Sequence, residues 1–487
     1  MPFELPTFPE LHDLAEDERQ AIMLISNKSG KGEVESLLMR AFVFAVVDGA
    51  SDVHIIGRGA KDQPEVTIAI RSARGFLNLN YPASQEGRHF QTKMFQLTNI
   101  AQGGSTPEML STRFSMAFPV AWARSKGLKP KEGWPKYYVD MRVEYSQLFD
   151  GFAFTCRLLD QQRSPNIDEL GLPYALEVTL KRLIKEPSGL ILATGPTGSG
   201  KTTLLNAILG YLNNGQNSIL TIENPVEFRL HGTGPIKQIE VQGDVTFARA
   251  LRSALRHDPD IILIGEIRDS ETMEIALQAA QTGHLVLATL HANTAADTFS
   301  RALDLTKDKR RDAMRLSDTL KFVMAQRLID RFDGTPQERK LNREELAWLR
   351  DNGIAGVETI TERIDGQKTG KIAVIEAIEV DYTIRKLIQA ERLDKDRIYE
   401  HASTQLQYET LPMAGLRHAE AGEARLTDCM VRLDTEPAAE RHLPWRTTLA
   451  MKHGVGYGLV NQAIERYLVE LDNGNTVTVD QMIEESK

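Results

Sequence analysis

Four short apolar runs recur between residues 188 and 304, each followed by a helical pattern. They are Leu190-Ile191-Leu192, Ile219-Leu220-Thr221-Ile222, Ile261-Ile262-Leu263-Ile264 and Leu285-Val286-Leu287-Ala288-Thr289. Runs this short and this apolar read as strands buried on both faces, which is the habit of a parallel sheet. Alternation with helical segments predicts a doubly wound α/β sheet. Upstream, residues 35–165 mix strand-like segments (Val53-His54-Ile55-Ile56, Val66-Thr67-Ile68-Ala69-Ile70 and residues 152–159) with helical ones, predicting a separate α+β domain. A polar, proline-bearing stretch from Asp160 to Pro173 suits a hinge, assigned to residues 166–187. Residues 1–34 form an acidic, proline-marked lead-in. Beyond Thr306 the chain turns mostly helical and charged, and residues 435–487 look like an appended module.

Composition narrows this picture. At 487 residues the chain exceeds one ordinary core, so two to three domains are expected. Hydrophobic content of 41% and charged content of 26% are those of a soluble globular protein. With 58 basic and 67 acidic residues the net charge is −9, which argues against broad, charge-driven nucleic-acid binding. Cys156 and Cys429 lie far apart and match no metal spacing, pointing to a reducing compartment. No apolar run approaches the ~20 residues of a membrane span. The start, Met1-Pro2-Phe3-Glu4-Leu5-Pro6, has neither the basic region nor the apolar core of a signal peptide. A cytosolic protein is expected, able to work at a membrane through partners.

Chemistry concentrates after the first apolar run. There the chain reads Gly195-Pro196-Thr197-Gly198-Ser199-Gly200-Lys201-Thr202-Thr203, followed by an apolar helical segment. Strand, glycine loop and helix is the context that the G-x-x-x-x-G-K-[ST] pattern requires. Gly198 and Gly200 let backbone N–H groups converge on phosphate oxygens, and the helix beginning near Lys201 adds its positive dipole end. Lys201 is expected to reach the β- and γ-phosphates, and the Thr202 hydroxyl to ligate Mg²⁺. The pattern predicts nucleoside-triphosphate binding.

Three further stretches look like parts of the same site. The third apolar run ends in Gly265-Glu266, a carboxylate placed to hold Mg²⁺ through water or to position the attacking water. Where many phosphate-loop enzymes carry an aspartate, this chain has Gly265. The second run leads into Glu223-Asn224-Pro225-Val226-Glu227, with Glu223 the stronger candidate; a surface turn explains Glu227 as well. His284 and His291 flank the fourth run. Either could be an ordinary core histidine, zinc ligation lacks a third ligand, and sensing of the γ-phosphate is the functional reading. Arg249, Arg252 and Arg256 share one helical face, as a solvated stripe or a subunit boundary.

In this order the stretches resemble the secretion and pilus-motor ATPases, the superfamily of type II secretion, type IV pilus and type IV secretion motors. Ala50-Ser51-Asp52-Val53-His54-Ile55 looks like the opening of that family's N-terminal domain. Residues 195–202 match its Walker A motif, 221–228 its Asp box with Asn224 in place of the usual aspartate, 255–272 its Walker B region and 282–291 its His box. The resemblance implies a RecA-like P-loop ATPase domain at 188–434 with a helical C-terminal part, and a PAS-like α+β domain at 35–165. It implies ATP and Mg²⁺ as cofactors, Glu266 as the catalytic carboxylate with Glu223 assisting, and Arg142 and Arg157 completing the site. A homohexameric ring is implied, peripheral to the cytoplasmic face of the inner membrane, acting on a platform protein and pilus or secretion machinery without touching nucleic acid. Segments such as Ala325-Gln326-Arg327-Leu328 resemble the assembly branch. That branch usually carries a four-cysteine zinc knot, whereas residues 329–369 contain no cysteine, so no zinc is expected. Similar cysteine-free relatives include plasmid-encoded thin-pilus motors, which makes a conjugation-associated type IV pilus the favoured setting. A retraction motor, a type IV secretion motor and a non-hydrolysing ATP-bound scaffold are the alternatives.

Overall fold

The computed structural model describes residues 33–60, 63–72, 75–85, 87–98, 108–130, 134–161, 166–232, 234–241, 245–354, 356–363, 365–390, 393–433, 449, 452–453, 455, 457–473 and 477–486. The lead-in thus lies outside the described residues except at its end, as does the start of the C-terminal module. The chain divides into two compact units, one of residues 1–164 with 227–231, the other of residues 165–226 with 232–487.

The first unit runs α1 (Glu33–Asp48), β1 (Asp52–Arg58), β2 (Glu65–Ser72), β3 (Gly75–Tyr81), α2 (Gly87–Leu97), β4 (Met109–Pro119), α3 (Val120–Ser125), β5 (Lys136–Leu148) and β6 (Gly151–Asp160). Its strands form one six-stranded sheet in the order β3-β2-β1-β6-β5-β4. Alternation sets the two faces. Val53, Ile55, Val139, Met141, Phe154 and Cys156 point into a core closed by Leu38 and Phe42 of α1 and Phe90 and Met94 of α2. The opposite positions are mostly polar or small, among them Asp52, His54, Asp140, Arg142, Thr155 and Arg157. Residues 227–231 belong to this unit although the sequence pattern gave them to the other: the Gln161 side chain donates to the Glu227 carbonyl (2.9 Å), and Arg229 forks onto Asp140 (2.8 and 3.1 Å).

The second unit runs α4 (Tyr174–Leu183), β7 (Gly189–Thr194), α5 (Lys201–Leu212), β8 (Ile219–Glu223), β9 (Ile236–Glu240), α6 (Phe247–Ala254), β10 (Ile261–Ile264), α7 (Ser270–Gln281), β11 (Leu285–Leu290), α8 (Ala295–Asp304), α9 (Lys309–Thr319), β12 (Leu320–Phe332), β13 (Gln337–Lys340), α10 (Arg343–Asp351), β14 (Thr359–Glu362), β15 (Lys368–Glu379), α11 (Tyr382–Gln389), α12 (Lys395–Ala402), α13 (Leu411–Glu420), α14 (Leu426–Leu433), α15 (Tyr457–Asp472) and α16 (Val479–Ser486). Seven strands line up as β15-β12-β7-β11-β10-β8-β9, parallel except for β15. The α/β expectation and the RecA-like architecture hold. The region after Thr306 also contributes two long strands to this sheet, β12 and β15, between its helices. Most of the stretch assigned to a hinge is folded: α4 buries Leu176, Leu180 and Leu183 in the second unit. The C-terminal pair α15 and α16 closes its own small core around Val460, Ile464 and Ile483, and α15 packs on α4 and α13.

Candidate nucleotide site

Every residue of β7 is buried, so the strand delivers the chain to the sheet's carboxyl edge in a fixed register. The loop that follows depends on its glycines. Gly195, Gly198 and Gly200 all adopt positive φ (143°, 77° and 88°), a region that side chains avoid. A Cβ on Gly195 would stand 2.4 Å from the Gln326 carbonyl oxygen, and one on Gly200 would stand 2.6 Å from Gln326 Nε2. Gly200 caps α5 in the left-handed conformation without a side-chain cap, so the first-turn N–H groups of Lys201, Thr202 and Thr203 are offered to a ligand. Ser199 Oγ is buried and finds no hydrogen-bond partner among the described residues. Lys201 Nζ donates to the carbonyls of Gly195 (2.8 Å) and Pro196 (3.0 Å), so its ammonium lies across the loop, followed by Thr202 at the helix start. These observations fit a polyphosphate anion, and the Thr202 hydroxyl and Glu266 carboxylate are hard oxygen donors of the chemistry Mg²⁺ takes.

Glu266 follows β10 in a turn pinned to β11: the Thr289 hydroxyl donates to the Gly265 carbonyl (2.5 Å), and Ile267 N–H donates to the Thr289 carbonyl (3.0 Å). Its carboxylate accepts from Arg268 Nη2 (2.6 Å) and meets His291 Nε2 at 3.0 Å. Burial pushes this carboxyl up. The Arg268 hydrogen bond and the charges of Arg268, His291 and Lys201 outweigh burial and hold it below the usual range. Gly265 has a local reason to lack a side chain, since a Cβ would meet the Ile222 carbonyl at 3.1 Å and Glu223 Cα at 3.2 Å. Glu223 ends β8 buried, accepting from the Thr221 hydroxyl at 2.6 Å. Thus Lys201, Glu266, Glu223 and His291 all emerge at the carboxyl ends of neighbouring parallel strands, where open α/β sheets place ligands.

His284 departs from the expectation. It stands at the amino end of β11, where its Nδ1 lies 2.9 Å from the Ala279 carbonyl and closes the turn after α7. The strand between the two histidines puts His284 roughly 20 Å from His291, so within one chain it cannot watch a phosphate held by the loop. Glu227 is placed in the first unit. Arg142 and Arg157 lie there too, side by side on β5 and β6. Arg252 pairs with Glu271, in keeping with a solvated stripe.

Two residues beside the loop carried no site expectation. β12 runs parallel to β7, and its Gln326 lies against the glycine loop with Arg327 next in sequence. Arg327 donates to the Asn293 carbonyl (2.8 Å), next to His291, and its partial burial pushes its pKa down. The available signal was a polar pair leaving the apolar run Phe322-Val323-Met324-Ala325.

Comparisons with known proteins follow the same lines. Residues 134–431 match the family described as type II/IV secretion system protein. The type II secretion system ATPase E of Vibrio cholerae is 38% identical over 266 residues, covering 52% of this chain and 51% of that protein. HxcR, a type II secretion system protein of Pseudomonas aeruginosa, is 40% identical over 259 residues, covering 53% and 52%. The chain therefore spans about half the length of these curated relatives. Among solved structures, the pilus retraction motor PilT with bound ADP superposes with a TM-score of 0.58 at 26% identity, covering 84% of this chain and 98% of that one. The ATPase DotB of Legionella pneumophila shares the fold, with a TM-score of 0.56 at 20% identity over 84% and 98%.

Proposed function

Because the chain belongs to the type II/IV secretion system protein family, we propose that it is a Mg²⁺-dependent ATPase, the motor subunit of a homohexamer that drives type IV pilus assembly or related secretion. The observation that carries this reading is the meeting of Lys201, Glu266 and His291 at one sheet edge beside a glycine loop with a helix N-terminus behind it. The ADP of the PilT structure supports a nucleotide as the ligand. In this reading the loop N–H groups and Lys201 bind the phosphates. Thr202 and, through water, Glu266 would hold Mg²⁺, which supplies charge neutralisation on the phosphates. Glu266, ionised at neutral pH, orients the attacking water. Glu223 supports the metal-bound waters or the attacking water, and His291 keeps Glu266 in place. Arg142 and Arg157 lend positive charge as the γ-phosphate leaves. The ring works peripherally at the cytoplasmic face of the inner membrane, on a platform protein and its pilus or secretion machinery. The net charge of −9 favours protein partners over DNA.

Steady-state turnover of the full chain with nucleotide-binding titrations tests this. Lys201→Ala is expected to weaken nucleotide binding and remove turnover. Glu266→Gln is expected to retain binding while turnover falls roughly 100-fold or more. Binding without turnover in the unmodified protein would support a scaffold instead. The cysteine-free segment 329–369 keeps a retraction role open as the second reading; gene deletion separates them, with bald cells for an assembly motor and over-piliated cells for a retraction motor.

A further inference from the structure

The opening Ala50-Ser51-Asp52-Val53-His54-Ile55 leads into β1 of the first unit, away from the glycine loop in sequence. Its place in the first unit supplies a role. Backbone register pairs Arg113 with Arg142, Arg142 with Arg157, Arg157 with Asp52 and Asp52 with Arg71. Residues directly opposite across a ladder project to the same face. Five charged side chains, four of them arginines, therefore stand abreast across the sheet, on the face turned away from the α1 and α2 core. Like charges set directly opposite one another destabilise a sheet. Three neighbouring arginines on one face present guanidinium groups suited to oxyanions.

Asp52 is the anion within this row. It is 4% exposed and accepts from the Ser51 hydroxyl at 2.8 Å and from Arg157 Nε at 3.0 Å. Its partner is largely in solvent, the Arg157 side chain being 61% exposed. The contact is therefore asymmetric: a buried carboxylate holds the Nε edge of a largely exposed arginine. Gripping Nε orients the guanidinium and leaves its terminal amino groups outside this bond. His54 lies on the same face of β1, its Nδ1 3.2 Å from Thr155 Oγ1, two residues before Arg157 on β6. Burial pushes the Asp52 carboxyl up, but the bonds from Ser51 and Arg157 and the charges of Arg157 and His54 bring it below its ordinary value, so it is ionised wherever Arg157 would be used.

We infer that Asp52 is a positioning residue for Arg157: it presents the guanidinium in one orientation so that its terminal N–H groups meet an oxygen of the departing phosphate. This rests on the proposed part of Arg157 in ATP hydrolysis. A carboxylate that merely stabilised the fold would change unfolding and leave kcat per folded molecule alone. One that aims Arg157 changes kcat with little effect on KM.

The test measures kcat and KM of the full chain, with its unfolding midpoint, for Asp52→Ala, Asp52→Glu, Arg157→Ala, the double variant Asp52→Ala/Arg157→Ala, and Lys201→Ala as reference. Misaiming is expected to lower kcat roughly ten- to a hundredfold in Asp52→Ala, with KM within about twofold. Asp52→Glu, which keeps an anionic acceptor, is expected to recover part of that loss. Adding Asp52→Ala to Arg157→Ala is expected to change nothing further. If Arg157→Ala lowers kcat but Asp52→Ala does not, or if the two losses multiply, the positioning role is overturned while the motor reading stands. If Arg157→Ala leaves kcat intact where Lys201→Ala abolishes it, the part given to Arg157 fails and Asp52 falls with it. Loss of turnover that only tracks a lowered unfolding midpoint, in both Asp52 variants, also overturns it.

Discussion

Glu266 sits half withdrawn from water, and burial by itself would delay its ionisation. The hydrogen bond from Arg268 and the positive charges of Arg268, His291 and Lys201 reverse that outcome and place its pKa below the ordinary glutamate value. Such a carboxylate is a weak base and a permanent anion at neutral pH, better suited to orienting water than to taking its proton early. The sign gives a prediction. A depressed folded pKa means the anion persists to a pH below the ordinary glutamate range, so Glu266 adds no acid limb between pH 8 and pH 5. The ratio of turnover between the unmodified protein and Glu266→Gln is expected to stay constant across that range. A ratio that collapses as pH falls from 7 to 5 would mean that Glu266 titrates near neutrality and acts as a proton acceptor. Its contribution to stability follows the same sign: complete above the unfolded carboxylate value and lost as pH drops through the folded one. Arg268 is mostly exposed, so that contribution is small, under about 1 kcal/mol.

Elements buried on both faces could be read directly from the chain, because β7, β8, β10 and β11 have no solvent side on which to place a polar residue. Their carboxyl ends then located Lys201, Glu223, Glu266 and His291. The strands β12 and β15 hid for the opposite reason. Both carry charges at buried positions, and those charges are satisfied by partners distant in sequence: Asp330 of β12 pairs with Lys368 and Lys371 of β15 and with Arg432 of α14. These cations overcome burial and hold the Asp330 carboxyl down at about 2. His284 sits at the amino end of β11, away from the glycine loop; a motif gives order along the chain but not which end of a strand a residue occupies. The segment 329–369 shows what a cysteine-free clasp can use instead. Arg339 of β13 forks onto Glu345 of α10 (2.5 and 2.8 Å) and donates Nε–H to Glu362 of β14 (2.8 Å), both carboxylates being buried. Removing the guanidinium would leave two buried carboxylates without their counter-charge, each keeping one backbone donor (Asn342 N–H to Glu345, Leu426 N–H to Glu362), so Arg339→Ala is expected to cost about 3 kcal/mol, seen as a lower midpoint in chemical unfolding. Chelation with EDTA is expected to leave that midpoint unchanged in the unmodified protein. A large EDTA-induced drop would assign the clasp to a metal rather than to Arg339.

At the scale of the whole molecule, connectivity is the informative property. The chain leaves the first unit once near residue 164, then returns to it for the five residues 227–231 before completing the second. That excursion begins four residues after Glu223 and is anchored firmly within the first unit. Arg229 grips Asp140 through Nε and Nη2, donates to the Ser115 hydroxyl at 2.6 Å, and lies 5.5 Å from the Tyr138 ring centre. Its backbone N–H donates to Gln161 Oε1 at 2.5 Å, and His231 stacks on Tyr138. The chain between the end of β8 and the Arg229 anchor on β5, two residues from Arg142, is therefore short. Charge-assisted bonds of this kind contribute about 1–2 kcal/mol when partly exposed. Arg229→Ala and Asp140→Ala are expected to destabilise the protein by about that much and the double variant by no more than either alone. Both should leave nucleotide affinity at the glycine loop intact, and, if this stretch couples the end of β8 to β5, kcat falls several-fold. Hydrogen exchange gives an independent reading, with amide protection at Arg229 expected to fall in Asp140→Ala. If turnover is unchanged when that protection is lost, the Arg229 anchor is a fold contact only, and coupling between the units runs through some other part of the chain.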